Sequence, residues 1–336
     1  MRAFQYARAR TPAEAVGQHR ASGTEYLAGG TTLLDLVKLD VMRPEAVVDI
    51  NRLDLAKIET LPDGRTKIGA LVRNSDLAHD RGIREKFPVL AEALLNGASA
   101  QLRNMATTSG NLMQRTRCPY FRDGFSACNK RAPGSGCAAL EGFNRSHAIL
   151  GGSEACIATH PSDMCVALAA LDAEILVQGS QGDGAGRVIP ITKFHLLPGR
   201  TPEKEFALER DELITAVVLP ALQPGTRSWY LKIRDRESFE FALASAAVVL
   251  ETQGSTISSA RIALGGVATK PWRATEAEAA LRGAPLEESA FANAAALAVK
   301  GASPREHNAF KIELAKRVVT RALSAVAASQ PTVREI

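Results

Sequence analysis

All five cysteines of this chain fall between Cys118 and Cys165, and none lies elsewhere. The first four, Cys118, Cys128, Cys137 and Cys156, follow the pattern C-x9-C-x8-C-x18-C, with Pro119, Gly124, Pro133, Gly134, Gly136, Gly142, Gly151 and Gly152 among them. No sustained helical or strand period runs from Met113 to Gly151, so the stretch reads as a long irregular loop. Such loops are uncommon inside compact domains and are usually functional or disordered. Four thiolates on one centre would order it. Zinc takes four Cys but favours close C-x2-4-C pairs, and no CxxC is present. Iron–sulfur clusters tolerate wider, family-specific spacings. Two disulfides would leave a fifth Cys over, in a chain larger than most disulfide scaffolds. Spacing alone leaves cluster, zinc, disulfides and free thiols open. The plainest reading, small buried apolar residues, fares worst, because five in one window need a reason.

The loop sits between two short polar turns, Ala106-Thr107-Thr108-Ser109-Gly110-Asn111 ahead of it and His160-Pro161-Ser162-Asp163 behind it. Basic residues cluster beside the cysteines, at Arg115 and Arg117 and at Lys130-Arg131. They read either as a solvated surface or as charge balance for an anionic cluster, a nucleotide or an acidic partner. Net charge is only +5, and no aromatic residues interleave a basic stripe, so nucleic acid is not indicated. No signal peptide is expected at the amino terminus, and no apolar run approaches a membrane span. The six His form neither a nucleophile–base pattern nor a metal motif.

The 336 residues are 46% apolar, enough for two or three domains and a sizeable core. From a strand expected at Met1–Phe4, Thr11-Pro12-Ala13-Glu14 begins a helix, with Thr11 as cap and Pro12 at the first helical position. A strand at Glu25–Ala28, a helix at Leu33–Lys38 and a strand at Ala46–Ile50 complete an α/β unit. Gly29-Gly30-Thr31-Thr32 joins strand to helix. Two glycines let the backbone approach a ligand, and the N–H groups that follow form an anion site. It is not GxGxxG, so a Rossmann fold is not indicated. Further on, Lys67–Val72 reads as a strand, Asn74-Ser75-Asp76 caps a helix, and Phe87–Leu95 is an apolar helix. After the loop, Ser162 or Asp163 caps a helix over Met164–Leu171. Strands follow at Glu174–Gln178, Arg187–Ile191 and Glu212–Leu219, the first two joined by a turn at Gln181–Gly184. Ala221–Gly225 reads as a linker. Beyond it come three strands, Ser228–Ile233, Phe241–Leu250 and Ser258–Val267, and three Ala-rich helices, Thr275–Leu281, Ala290–Val299 and His307–Ala327. Strands followed by helices suggest a separate α+β domain.

Four motifs in order, Ala28-Gly29-Gly30-Thr31-Thr32-Leu33, Thr107-Thr108-Ser109-Gly110-Asn111-Leu112, Pro161-Ser162-Asp163-Met164 and Leu264-Gly265-Gly266-Val267-Ala268, resemble the FAD-binding medium subunits of the xanthine dehydrogenase and molybdenum hydroxylase family. Most such subunits lack a cysteine loop. This one is similar to the subset with an extra [4Fe–4S] cluster, the bacterial periplasmic aldehyde oxidoreductases, through Arg117-Cys118-Pro119-Tyr120-Phe121, Cys128-Asn129-Lys130-Arg131 and Pro133-Gly134-Ser135-Gly136-Cys137. The resemblance implies an α+β fold. An FAD-binding domain of the vanillyl-alcohol-oxidase type would span 1–222, with subdomains of about 1–55 and 56–222 and the cluster loop at 114–157. A CO-dehydrogenase-flavoprotein-like domain, a three-stranded antiparallel sheet plus helices, would span 226–330.

It also implies roles. Leu27, Ala28, Gly29, Gly30, Thr31, Thr32 and Leu33 would surround the FAD pyrophosphate. Thr107, Thr108, Ser109, Gly110 and Asn111 would supply hydroxyls and N–H groups to phosphates or flavin. Ser162 and Asp163 would serve the adenine or ribitol end, and Lys232 would lie near the flavin. Cys118, Cys128, Cys137 and Cys156 would ligate the cluster, with Cys165 a buried thiol that could exchange only with Cys156. The implied partners are a large molybdenum-cofactor subunit, which oxidises an aldehyde to a carboxylic acid, and a small [2Fe–2S] subunit. Electrons would pass through FAD to an external acceptor. The implied location is the periplasm, by co-export with a signal-bearing partner, with the cytoplasm as the alternative.

Overall fold

A computed structural model describes residues 1–179 and 186–328. The chain begins with β1 (Gln5–Arg8), α1 (Pro12–His19), β2 (Thr24–Leu27), α2 (Leu33–Lys38) and β3 (Ala46–Asp49). Thr11 caps α1 by accepting from the Glu14 N–H at 3.1 Å, while the Glu14 carboxylate reaches back to the Arg10 N–H at 2.8 Å. The three strands form a parallel sheet in the order β1-β3-β2. Ala15, Val16, Val48, Ile50 and Leu53 bury its inner side.

The second unit holds β4 (Ile58–Thr60), β5 (Thr66–Gly69), α3 (Asn74–His79), α4 (Arg81–Lys86), α5 (Pro88–Leu95), α6 (Ala100–Arg103), α7 (Thr108–Leu112), α8 (Pro119–Arg122), α9 (Asp163–Ala170), β6 (Glu174–Gly179), β7 (Arg187–Pro190), α10 (Ile191–Phe194) and β8 (Glu212–Leu219). Its five strands pair antiparallel in the order β4-β5-β8-β6-β7. The turn expected at Gln181–Gly184 lies outside the described residues. Every residue of α5 and α9 is buried. Both helices are apolar nearly all round, and such helices belong inside a core.

The third unit has four strands, not three: β9 (Arg227–Ile233), β10 (Ala244–Gln253), β11 (Thr256–Gly265) and β12 (Trp272–Arg273). A two-residue strand is too short to leave a period in the sequence. The sheet is antiparallel, and α11 (Thr275–Leu281), α12 (Glu288–Ala298) and α13 (Phe310–Ala328) cover one face. Alternation along β10 sends Ala246, Val248 and Leu250 toward those helices. Ala247 and Val249 point the other way, into the core of the second unit. Both faces are covered, so the strand reads as a continuous apolar run.

Local differences have local reasons. Arg73, not Asn74, occupies the cap position of α3, with no side-chain bond. The expected turn at residues 106–111 is the start of α7, capped by Thr107. Strand β1 begins at Gln5 rather than Met1.

Candidate functional site

The glycine loop between β2 and α2 is half-buried. Gly30 has φ +73°, a left-handed conformation that favours glycine. Gly29 is needed for another reason: a β-carbon there would overlap the Met105 carbonyl. The loop thus presses against the segment leading into α7. Asn51 holds it from behind, its side-chain amide donating to the Ala28 carbonyl at 2.9 Å and the Leu27 carbonyl at 3.3 Å. Arg73 donates to the Asn51 side chain at 3.2 Å and to the Met105 carbonyl. Among the described residues, the five consecutive N–H groups of Gly29, Gly30, Thr31, Thr32 and Leu33 face no acceptor, and the Thr31 and Thr32 hydroxyls have no partner. A run of unpaired, half-buried donors is what an anionic diphosphate requires.

The 107–111 segment is spent differently. The Thr108 N–H donates to the Val72 carbonyl at 3.0 Å and the Ser109 N–H to the Ala70 carbonyl at 2.9 Å. Gly110 donates to the Thr107 hydroxyl at 3.2 Å, and the Thr108 hydroxyl donates to the Val72 carbonyl at 3.1 Å. These groups fix α7 to the strand side and are not free for phosphate. The Ser109 hydroxyl has no partner among the described residues. Asn111 accepts from the Ser162 hydroxyl at 2.6 Å, and Ser162 caps α9 by accepting from the Cys165 N–H at 3.1 Å.

Asp163 and Lys232 meet in a buried ion pair at 2.7 Å, their side chains 8% and 1% exposed. Tyr230 donates its hydroxyl to the other Asp163 oxygen at 2.5 Å, and Lys232 also donates to the Asn96 carbonyl at 2.9 Å. Both carboxylate oxygens are therefore engaged, and the pair joins α9 to β9. Ser162 and Asp163 line one wall of an interdomain cleft of about 220 Å³, with Cys118 and His147 on another wall.

The cysteines divide four to one. Cys118, Cys128, Cys137 and Cys156 all line a single small cavity, walled otherwise by Phe121, Tyr120 and alanines, with Thr116, Asn129 and Lys130 among them. Cys165 lies elsewhere, fully buried in α9. Of Cys156 and Cys165, the first shares the cavity with the other three and the second does not. Backbone bonds hold the cavity's shape: Cys128 and Cys137 pair as an isolated antiparallel bridge. The Asn129 N–H donates to the Gly136 carbonyl at 2.7 Å, and the Gly136 N–H donates back to the Asn129 side chain at 2.8 Å. Burial, together with neighbouring thiols, pushes Cys118 up to about 12 and Cys156 up to about 11. Without a metal these groups stay protonated; a metal would displace their protons. The donor set is four thiols around one space; no three of the sulfurs lie within 4.8 Å of one another, a spread too wide for one tetrahedral ion and suited to a larger cluster of metals.

The basic residues beside the cysteines are largely buried and engaged within the chain. Arg115 and Lys130 pair with Glu205 at 2.5 and 3.1 Å. Arg117 and Arg122 pair with Asp35 of α2 at 2.6 and 2.8 Å. Arg131 donates to the Tyr120, Phe121 and Ser126 carbonyls. Sequence reasoning missed these anchors, and it missed His147, whose Nε2 lies 3.1 Å from the Cys118 sulfur. Burial pulls His147 down to about 4, so the ring is neutral at ordinary pH. No local pattern marks Asp35, Glu205, His147 or Tyr230, because each acts across a long sequence gap.

Residues 2–222 match the family described as the FAD binding domain in molybdopterin dehydrogenase, and residues 229–326 match the CO dehydrogenase flavoprotein C-terminal domain. The chain belongs to this family of FAD-binding subunits. It is 51% identical to the aldehyde oxidoreductase FAD-binding subunit PaoB of Escherichia coli (strain K12), over 96% of this chain and 98% of that one. It is 28% identical to the carbon monoxide dehydrogenase medium chain of Hydrogenophaga pseudoflava, over 96% of each. Among solved structures, carbon monoxide dehydrogenase from that organism superposes with a TM-score of 0.76 at 28% identity, over 97% of this chain and 98% of that one. No described helix is long and apolar enough to cross a membrane.

Proposed function

We propose that this chain is the FAD-carrying electron-transfer subunit of a heterotrimeric, molybdenum-containing aldehyde oxidoreductase. Its partners would be a large molybdenum-cofactor subunit, where aldehyde is oxidised to carboxylic acid, and a small [2Fe–2S] subunit. The observation that carries the reading is the run of five acceptor-free N–H groups at Gly29–Leu33, in a chain half identical to an aldehyde oxidoreductase flavin subunit.

Bound flavin would hold up to two electrons, taken singly from the one-electron clusters, and pass them on to an external acceptor. The protein's part is positional. Gly29–Leu33 would donate to the diphosphate, and Thr31 and Thr32 would add hydroxyls. Ser109 and Asn111 would face the nucleotide from α7. The Asp163–Lys232 pair would act indirectly, by holding the C-terminal sheet against α9 at the edge of the cleft. Cys118, Cys128, Cys137 and Cys156 would hold a [4Fe–4S] cluster, which supplies one-electron transfer and a covalent tie across the loop. The paired cations around it favour a role in bracing the loop. We place the complex in the periplasm, carried there folded with a signal-bearing partner.

Flavin and metal analysis of the purified complex tests this. One FAD and about four extra iron atoms per copy of this subunit are expected, and Cys128→Ala should remove that iron while Cys165→Ala should not. Bound zinc in place of iron, or no flavin, would sink the reading. Fractionation of cells lacking the partner's signal tests the location.

A further inference from the structure

The fifth cysteine stands apart from the cavity of the other four, but it does not stand alone. Cys165 lies in the first turn of α9, His160 just ahead of the Ser162 cap, and His195 directly after α10. One ligand atom from each, two imidazole nitrogens and a sulfur, lie within 4.8 Å of one another. Cys165 is 0% and His195 3% exposed. Among the described residues, His160 Nε2 and His195 Nδ1 are both buried without a hydrogen-bond partner. An unpaired buried nitrogen is costly, and each of the two rings that meet the thiol carries one. The remaining nitrogens are held. His195 Nε2 meets the Leu112 carbonyl at 3.0 Å, the kind of outer contact that orients metal-bound imidazoles. His160 Nδ1 meets the Ser162 N–H at 3.4 Å, and ligation through Nε2 would open that long contact.

We propose that His160, Cys165 and His195 bind one soft metal ion, copper(I) or zinc, at a site distinct from the four-cysteine cavity. Two imidazoles and one thiolate suit both ions. Burial holds both rings neutral, His195 at about 4, and this is the ligating form. Burial also pushes the Cys165 thiol up to about 12, so the sulfur–proton bond breaks as the metal–sulfur bond forms, and one proton leaves to solvent. Lys130 acts on His160 and Lys270 on His195, opposed by Glu205. With two cations nearby, the monovalent ion is favoured, because one thiolate neutralises it fully. The ion would rivet the start of α9, and with it the Ser162–Asn111 contact, to the segment after α10. The site does not depend on the flavin or cluster reading.

The test uses the purified complex, exposed without oxygen to one equivalent of Cu⁺ or, separately, Zn²⁺, then desalted with a chelator present. One retained ion per copy is expected, with an X-ray absorption spectrum of one sulfur and two imidazole nitrogens. Cys165→Ser and His195→Gln should each cut retention at least tenfold and leave iron and flavin counts unchanged. If Cys165→Ser fails to fold, His195→Gln alone decides. No retained ion, retention indifferent to His195→Gln, or a sulfur-rich spectrum from the four-cysteine cavity would each overturn the proposal.

Discussion

Between Ala28 and Leu33 the chain leaves a run of backbone N–H groups without an acceptor, whereas around the cysteines Arg115, Arg117, Arg122, Lys130 and Arg131 all have partners. The short loop is positioned by backbone packing against Met105 and by Asn51 from behind, so its own donors stay available. The long loop has only the four-residue α8 for regular structure before α9, so side chains must order it. Its cationic side chains are largely paired, and four thiols gather on one cavity; among the described residues Arg117 Nε, His147 Nδ1 and His160 Nε2 are also buried without a partner. The candidate groups differ accordingly: backbone donors that the fold leaves unsatisfied in the first region, and thiols gathered around one space in the second.

The largest expected effect comes where both regions share a foundation. Lys232→Met strands the Asp163 carboxylate in the interior, and breaking a buried pair costs about 3–5 kcal/mol. Urea denaturation should show that loss, with flavin and iron retention falling together. Lys232→Met combined with Asp163→Asn should recover much of it. Flavin loss with intact iron would show that the pair serves one side only.

Gly29→Ala should separate the regions. Its β-carbon meets a backbone carbonyl that cannot rotate away, an overpacking cost of about 1–3 kcal/mol. Flavin content should drop at least tenfold while iron stays constant. Arg131→Ala should do the reverse. It removes one guanidinium from three loop carbonyls, at about 2 kcal/mol in local stability, so iron should be lost on purification while flavin stays. If either variant lost both cofactors equally, the two regions would not be independent.

The sequence showed the first region better than the second. Thr11, Pro12 and Glu14 announce α1, and Gly30 sits in the left-handed conformation that its place after a strand suggested. Helix α7 was not legible, because Thr-Ser-Gly-Asn is a weak helix former and tertiary bonds to residues 70–72 hold it. Strand β12 is too short to show a period. The cysteine spacing leaves cluster, zinc, disulfides and free thiols open; the structure adds that Cys118, Cys128, Cys137 and Cys156, but not Cys165, line one cavity. Asp35 and Arg117 are 82 residues apart, and no local rule pairs them.

Acid should act on the glycine loop first. Burial alone would raise the Asp49 pKa, but the Tyr6 hydroxyl, both Asn51 donors and Arg8 outweigh it and hold the carboxyl at about 2. A depressed carboxyl stabilises the fold above its ordinary pKa and loses that contribution as pH falls toward 2. The contribution is on the order of 2 kcal/mol. Because Asn51 carries the Leu27 and Ala28 carbonyls, flavin should be released between about pH 4 and 2, before the cysteine loop unfolds. Asp49→Asn should flatten that profile.

The smallest effect is the most informative about coupling. Asp35 belongs to α2, directly after the glycine loop, yet its partners Arg117 and Arg122 flank Cys118. It ties one region to the other. Hydrogen bonds from Arg122, opposed by burial and helped by Arg117, hold its pKa below the usual range. Its stabilising contribution is present above ordinary aspartate pKa values and fades as pH falls through the lower folded value. The side chain is 35% exposed, so solvent screening limits Asp35→Asn to about 1 kcal/mol or less. A local readout is needed. Hydrogen exchange should rise both in α2 and around Cys118, with global stability nearly unchanged. A change confined to the cysteine side would mean that α2 is held by its own packing of Leu36 and Val37, and that the two loops communicate only through the interior at Asp163.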